Sequence, residues 1–173
     1  MHESSNPPLP HTQCLADSAI DAAWAVTPPD MPIEVARLLP VVVGAHLRSE
    51  ITDRPLANRL VMAIRQWQRQ NIPNEEARLV PMVMTDLWYL NDRELLLQPS
   101  IAIGEPGVNA ASAYYGTRLP KAYVVDGQLQ VLADLEYLEP SVTMWGVDAS
   151  ATRTALDWFI ARHLASFLES VHG

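Results

Sequence analysis

The fold of this chain is decided by the stretch SIAIGEPGVNAAS at residues 100–112. A short apolar run stops at Gly104, a polar turn follows, and a run of small residues that suits a helix comes next. Buried strands pass into helices in this way in α/β proteins, and ligands tend to bind at such junctions. The stretch therefore predicts a strand–turn–helix unit and marks one edge of a candidate site.

Three other apolar runs, at residues 38–44, 78–85 and 141–145, also read as strands. The first is continuously apolar and rich in β-branched residues, which is typical of a parallel strand covered on both faces. Pro81 inside the second run predicts an edge position or a bulge. Asp126 and Gly127 form a hairpin signal between residues 122–125 and 128–132.

Helices are predicted between these strands by the spacing of apolar residues. Their expected bounds are residues 14–26, 33–38, 52–71, 106–115 and 150–170. Thr52 or Asp53 is the expected cap of the third of these, and Gly116 is the expected left-handed stop of the fourth. The predicted fold class is α/β: a three-layer Rossmann-like sandwich whose mostly parallel sheet is extended by a β-hairpin.

The segment at residues 87–98 is expected to be a lid, a subunit contact or a short helix. Its aromatic residues Trp88 and Tyr89 should then be partly exposed in the monomer. Ordinary burial in the core is the alternative, and complete burial of Trp88 would rule out the lid.

Length and composition restrict the class of protein. The chain has 173 residues and a net charge of -8, so we expect one α/β domain at residues 14–173 after a flexible or extended arm at residues 1–13. An acidic balance argues against nucleic acid and anionic membranes as partners. Cys14 is the single cysteine, and no signal-peptide pattern is visible, so a cytoplasmic location is predicted. A homodimer is the default expectation for a soluble oligomer.

Polar residues and glycines follow the predicted strands at the edge where ligands bind in parallel sheets. The candidate ligand-binding residues lie in two turns, at residues 104–109 and 146–152. They are Gly104, Glu105, Asn109, Gly146, Asp148 and Thr152. The helix N-termini after these turns would present N–H groups and positive dipole ends, which favour a small anionic ligand.

Asp86 and His46 follow two other strands and are the candidate catalytic acid or base. Each has a structural alternative: a surface role for His46, and a cap for Asp86. Asp148 also reads as a helix cap, and Asn109 as a partner of a loop carbonyl. The sequence leaves these alternatives open.

Known motifs do not specify a reaction here. The turn at residues 104–109 lacks the G-x-G-x-x-G fingerprint and the Walker lysine. A G-x-S-x-G elbow and a metal motif built from cysteine and histidine are also missing from the sequence. The sequence therefore predicts no metal site and leaves the cofactor unknown.

Both turns resemble those of a known group of domains. The segment IGEPGVN at residues 103–109 resembles the G-G-P-x-x-N turn in Rossmann-like domains of prokaryotic S-layer and cell-surface proteins. The segment GVDASATRTA at residues 146–155 resembles the later G-x-D-A-x-D-T-R-x-A turn of those domains. The matching residues are Gly104, Pro106, Asn109, Gly146, Asp148, Thr152 and Arg153.

The resemblance covers the chain from residue 100 onward. Glu105 stands where that group has its second glycine, and residues 150–151 lack the second acid. The resemblance implies a Rossmann-like framework in which both turns are structural, and it transfers no catalytic residue.

Three functions are consistent with the sequence. The first is a module that binds a small anionic ligand across the two turns. The second is a metal-assisted enzyme at the same cleft, with Asp86 or His46 as acid or base. The third is a structural or protein-interaction domain in which Asn109 and Asp148 only fix turns, and a shallow, filled cleft would favour it.

Overall fold

A single six-stranded sheet organises the part of the chain that the computed structural model describes, residues 34–173. Its strands are β1 (Leu38–Val43), β2 (Val80–Thr85), β3 (Ser100–Ile103), β4 (Lys121–Val125), β5 (Leu129–Ala133) and β6 (Ser141–Gly146). The predicted arm at residues 1–13 and the predicted helix at residues 14–26 lie outside the described residues.

The sheet is mixed, with the strand order β2-β1-β3-β6-β5-β4. β2, β1, β3 and β6 run parallel, whereas β5 is antiparallel to both β4 and β6. The predicted mostly parallel sheet is therefore confirmed in part, since three of the five strand pairings are parallel. The expected hairpin forms at Asp126 and Gly127, where the glycine has a φ of 67°.

Within residues 34–173, five helices accompany the strands. They are α1 (Leu47–Asn71), α2 (Asp86–Asn91), α3 (Ala110–Gly116), α4 (Ala149–Arg162) and α5 (Leu164–His172). Short 3-10 turns form at Val35–Arg37, Glu75–Ala77 and Leu95–Leu97. The first turn replaces the short helix predicted at residues 33–38.

Helices cover both faces of the sheet, and β1 shows why its sequence is continuously apolar. Leu39, Val41 and Val43 enter the larger core, which α1, α4 and α5 close. Val42 points into the second core, which α2 and α3 close with Tyr89 and other residues. Every residue of β1 is buried, as expected for a strand with helices on both sides.

Two helices begin at residues other than those predicted. α1 begins at Leu47 because the Nδ1 atom of His46 accepts the N–H of Arg48 at 3.1 Å, so Thr52 and Asp53 lie inside the helix. α3 begins only at Ala110 because the carbonyl of Glu105 accepts the N–H of Asn109 at 3.0 Å and closes a separate turn.

Two helix ends also differ from prediction. Gly116 is the last residue of α3 and has no positive φ, and Thr117 is the cap. His163 divides the predicted helix at residues 150–170 into α4 and α5. At this break His163 has a φ of −132°. Its carbonyl accepts the Tyr137 hydroxyl at 3.3 Å, and its ring contacts that of Trp158.

The segment after β2 exposes one aromatic residue and buries the other. Trp88 is 55% exposed, whereas Tyr89 is fully buried and its hydroxyl donates to Ser100 at 3.0 Å. The expectation of partial exposure is confirmed for Trp88 and wrong for Tyr89. Pro81 lies on an edge strand, as predicted.

Hydropathy gives one further result. Among the helices of residues 34–173, none combines the length and apolar character needed to cross a membrane.

Candidate functional site

The candidate site lies at the carboxyl ends of β1, β3 and β6. The strand order changes direction between β1 and β3, and such a switch point is where open α/β sheets usually bind ligands. Most of the residues expected to bind a ligand lie at this edge, but many of their polar atoms are already bonded within the protein.

Asn109 joins β1 to β3 and caps α3. Its side-chain nitrogen donates to the carbonyls of Val42 at 3.2 Å and Ile103 at 2.9 Å. Its side-chain oxygen accepts the N–H groups of Ala111 at 3.0 Å and Ser112 at 3.3 Å. The side chain is fully buried and both of its donors are used, but the carbonyls that it bonds belong to the strands β1 and β3, and not to a loop as expected.

Asp86 performs a similar function between β2 and α3. Its carboxylate accepts three backbone N–H groups, from Ala45 at 2.9 Å, Leu87 at 2.8 Å and Ala110 at 2.7 Å. The side chain is 4% exposed, and the N-cap of α2 is Thr85. The carboxylate ties three segments of the edge together.

The second turn is held by Gly146, Asp148 and Thr152. The N–H of Gly146 donates to the Thr152 hydroxyl at 3.0 Å, and that hydroxyl donates to the carbonyl of Asp148 at 2.9 Å. Asp148 caps α4 by accepting the N–H of Ala151 at 2.8 Å, as predicted. A Cβ on Gly146 would lie 2.4 Å from the Cβ of Ala151, so only glycine fits.

His46 does not join the other candidates. Its ring caps α1 from an exposed position, and its side chain makes no bond to Asp86 among the described residues. Within residues 34–173 no group of three or more histidine, cysteine, aspartate or glutamate side chains is placed to hold a metal ion.

Asp53 is a second buried acid of this edge, and the sequence did not single it out as a site residue. It lies in the second turn of α1 and is 5% exposed. Its Oδ1 accepts the Thr52 hydroxyl at 3.1 Å, and its Oδ2 would lie 2.7 Å from a Cβ on Gly104. Gly104 has a φ of 114°, so it is required both for its conformation and for this close approach.

Burial raises the pKa of Asp53 because it disfavours the ionised carboxylate. Three groups lower the pKa of this carboxyl: the hydroxyls of Ser49 and Thr52 and the guanidinium of Arg48. The carboxylate of Glu105 raises this pKa further. The Ser49 hydroxyl lies beside the carboxyl, although its oxygen has no partner in hydrogen-bond geometry. Burial therefore has the largest effect on this carboxyl.

Asp53 lines a cleft of about 20 Å³ between the two turns, which is room for about one water molecule. Arg48 pairs with Glu105 across its mouth at 2.9 Å. Asp53, Glu105 and Asp148 place three carboxylates around this single guanidinium. The charge balance opposes an anion here, so an anionic ligand needs another part of the edge.

We expect Asp53→Asn to stabilise the protein at neutral pH by about 1 kcal/mol, a typical gain from one favourable change. The raised pKa means that the folded chain binds more protons than the unfolded chain between their two pKa values, so stability falls as pH rises through that window. The advantage of the variant should shrink towards zero below about pH 4, where aspartate is protonated in both states.

Denaturant unfolding of both proteins across this pH range measures the difference. Asp148→Asn is the matched control, because that carboxylate is exposed. An Asp53→Asn protein that is less stable at neutral pH would show that the ionised carboxylate stabilises the fold.

A larger groove opens beside the cleft, on the face covered by α2 and α3. It has a volume of about 390 Å³. Its lining includes Pro106, Ala113, Gly116, Lys121, Leu132 and Trp145. A smaller hollow of about 160 Å³ shares Glu105 with the cleft and Trp145 with the groove. The three spaces follow one another along the same edge.

The groove exists because α3 is short and rich in small residues. A Cβ on Gly116 would lie 3.7 Å from the Trp145 ring, so the glycine leaves part of that ring accessible. Lys121 is exposed, and its ammonium group has no carboxylate within 4 Å among residues 34–173. Sequence reasoning missed this groove because it depends on how β4, β5 and α3 pack.

Comparison with known proteins returned no matching family model, curated protein or solved structure. The chemistry of the site is therefore inferred from its own geometry.

Proposed function

We propose that this chain is a Rossmann-like domain that binds a small anionic molecule at the carboxyl edge of its parallel strands. The observation that carries the proposal is the groove beside Trp145. Its volume of about 390 Å³ lies in the range of small-molecule sites, which are concave and mostly apolar with few polar groups. The change of direction between β1 and β3 supports the Rossmann-like assignment.

The lining of the groove favours a flat apolar molecule that carries one negative charge. Trp145 offers part of an aromatic ring, and Leu132 and Pro106 supply further apolar contacts. Among the described residues, Lys121 is the one charged member of the lining. An aromatic carboxylate or sulfonate would place its rings against Trp145 and its charge beside Lys121.

In this proposal the two turns that line the cleft next to the groove form the structural framework of the site. The hydrogen bonds of Asn109, Asp148 and Thr152 support the structural role that the resemblance to S-layer and cell-surface domains implies for both turns. A molecule in the groove could still reach Glu105 through the shared hollow.

We expect the aromatic anion 8-anilinonaphthalene-1-sulfonate to bind the folded protein with a rise in its fluorescence. Gly116→Leu should abolish this binding, because the new side chain covers the Trp145 ring. Lys121→Met should weaken it by about threefold, the effect of losing one exposed ion pair. N-phenyl-1-naphthylamine, the related uncharged probe, should bind equally well to wild type and Lys121→Met.

Ala165→Leu is the matched control, because it enlarges an exposed small residue of α5 away from the groove. Circular dichroism must show that each variant is folded, since partly folded proteins also bind this probe. Equal binding by Gly116→Leu and the wild type would place the probe elsewhere and contradict the proposal.

A protein-interaction domain is the second candidate function. Leu87 and Trp88 of α2 are 61% and 55% exposed, and Leu47 and Ile51 of α1 are 72% and 69% exposed. The helices start close together, because the N–H groups of Ala45 and Leu87 both donate to Asp86. Exposed apolar groups of this kind are typical of contact surfaces, including homodimers. Failure of both probes to bind would favour this candidate.

A further inference from the structure

A second groove runs along the free edge of the sheet, between α1 and β2. It consists of two adjoining hollows of about 250 and 510 Å³ that share Arg65, Val80 and Pro81. β2 is the outermost strand on this side, so the groove lies at the end of the sheet opposite β4. It is independent of the small-molecule site proposed above.

Arginines dominate the charge of this edge groove. Arg54, Arg65, Arg69 and Arg78 line it, and among residues 34–173 no carboxylate belongs to the lining of either hollow. This is unexpected in a chain with 12 basic and 20 acidic residues. The surface is therefore a local positive strip on an acidic protein.

Two of the four arginines are held by nearby acids. Arg54 bonds to Glu50 within α1, and Arg78 pairs with Glu75 at 3.1 Å. Arg65 and Arg69 are exposed, and no carboxylate of residues 34–173 lies within 4 Å of either guanidinium. These two side chains remain available to pair with a partner.

The length of the strip favours an extended ligand. From Arg54 to Arg69 the helix rises by about 22 Å, which an extended segment of about seven residues would span. Leu79 and Val83, whose side chains lie on the α1 side of the sheet, provide a partly exposed apolar floor beside the arginines. A floor of this kind suits peptide side chains, whereas bases of single strands stack on aromatic platforms.

The edge limits how a bound segment could pair with β2. The Gln68 side chain already occupies the backbone of Leu79: its oxygen accepts the N–H at 2.7 Å, and its nitrogen donates to the carbonyl at 3.1 Å. Pro81 has no N–H to donate. Recognition would therefore depend on the arginines more than on a complete strand ladder.

We propose that this groove docks an acidic, extended peptide segment of a partner protein. The carboxylates of the segment pair with Arg65 and Arg69, and its apolar side chains lie on Leu79 and Val83. Guanidinium groups bind carboxylates in a two-pronged geometry, so arginine suits this function better than lysine.

The test measures binding of a fluorescent peptide of about eight residues, alternating glutamate and valine to match an extended strand, to the full chain by anisotropy. We expect binding at low salt that weakens at high salt. Arg65→Glu combined with Arg69→Glu should weaken binding by about tenfold or more, because two attractive pairs become repulsive. Circular dichroism checks that this variant is folded.

Arg93→Glu combined with Arg162→Glu is the matched control, since it makes the same charge change at exposed positions outside the groove. It should stay within about twofold of the wild type. Three outcomes would overturn the proposal: no peptide binding at low salt, equal losses in both double variants, or tighter binding of a single-stranded oligonucleotide of equal length at the same groove.

Discussion

Asn109→Ala should lower the free energy of unfolding by about 3 kcal/mol, because a buried group left without its partner costs about 1–3 kcal/mol and a lost cap adds about 1 kcal/mol. The substitution removes the acceptor of two α3 N–H groups and the donor to the carbonyls of Val42 and Ile103. The melting temperature should fall by about 10 °C.

Asp148→Ala is the matched control for this prediction. Asp148 also caps a helix, but it is exposed and accepts a single N–H, from Ala151. Its loss should cost about 1 kcal/mol, the usual value for an N-cap. Equal effects of the two substitutions in denaturant unfolding would show that Asn109 is an ordinary cap and does not join β1 to β3.

Gly44→Ala should destabilise the protein by about 3 kcal/mol, the upper end of the usual cost of forcing atoms into a packed site. Its Cβ would lie 1.9 Å from the carbonyl oxygen of Val108 and 2.8 Å from the Ser49 hydroxyl. Because Val108 contributes a backbone atom, the whole turn at residues 104–109 would have to move.

Gly107→Ala provides the control within the same turn. A Cβ there would have no neighbour within 4 Å among the described residues, so the change should stay within about 0.5 kcal/mol of the wild type. Thermal unfolding of both variants measures the difference. A Gly44→Ala protein as stable as Gly107→Ala would mean that the turn does not pack tightly against β1.

Local patterns were sufficient to predict the strands of this fold. The continuous apolar sequence of β1 reflects its helices on both faces, and the Asp126–Gly127 pair marked the hairpin. The sequence could not show that β5 joins the sheet next to β6. The sheet is mixed because β5 runs antiparallel to both of its neighbours. The sequence also offered no indication of the helix break at His163, whose carbonyl accepts a hydrogen bond from Tyr137, 26 residues earlier in the chain.

The sequence predicted the location of the candidate site better than it predicted the interactions that its residues make. Short-range patterns led to Asn109 and Asp148, which do lie at the edge. The same patterns offered both ligand binding and bonds within the protein for these residues, and only the structure shows that their polar atoms are bonded internally. The sequence pattern favours a helix cap at Thr52 or Asp53, so it gives no indication that the Asp53 carboxyl is buried against Gly104. The groove beside Trp145 depends on tertiary packing and leaves no local signal.

The most direct test of the proposed function is a nitrogen–proton NMR titration of the full chain with 8-anilinonaphthalene-1-sulfonate. We predict that the largest shifts fall on the Trp145 indole N–H and the amides of Gly116 and Lys121, which line the groove. Shifts concentrated instead on the amides of Asp148 and Thr152 would place the ligand in the cleft. That result would contradict the proposal that the small anionic molecule binds in the groove.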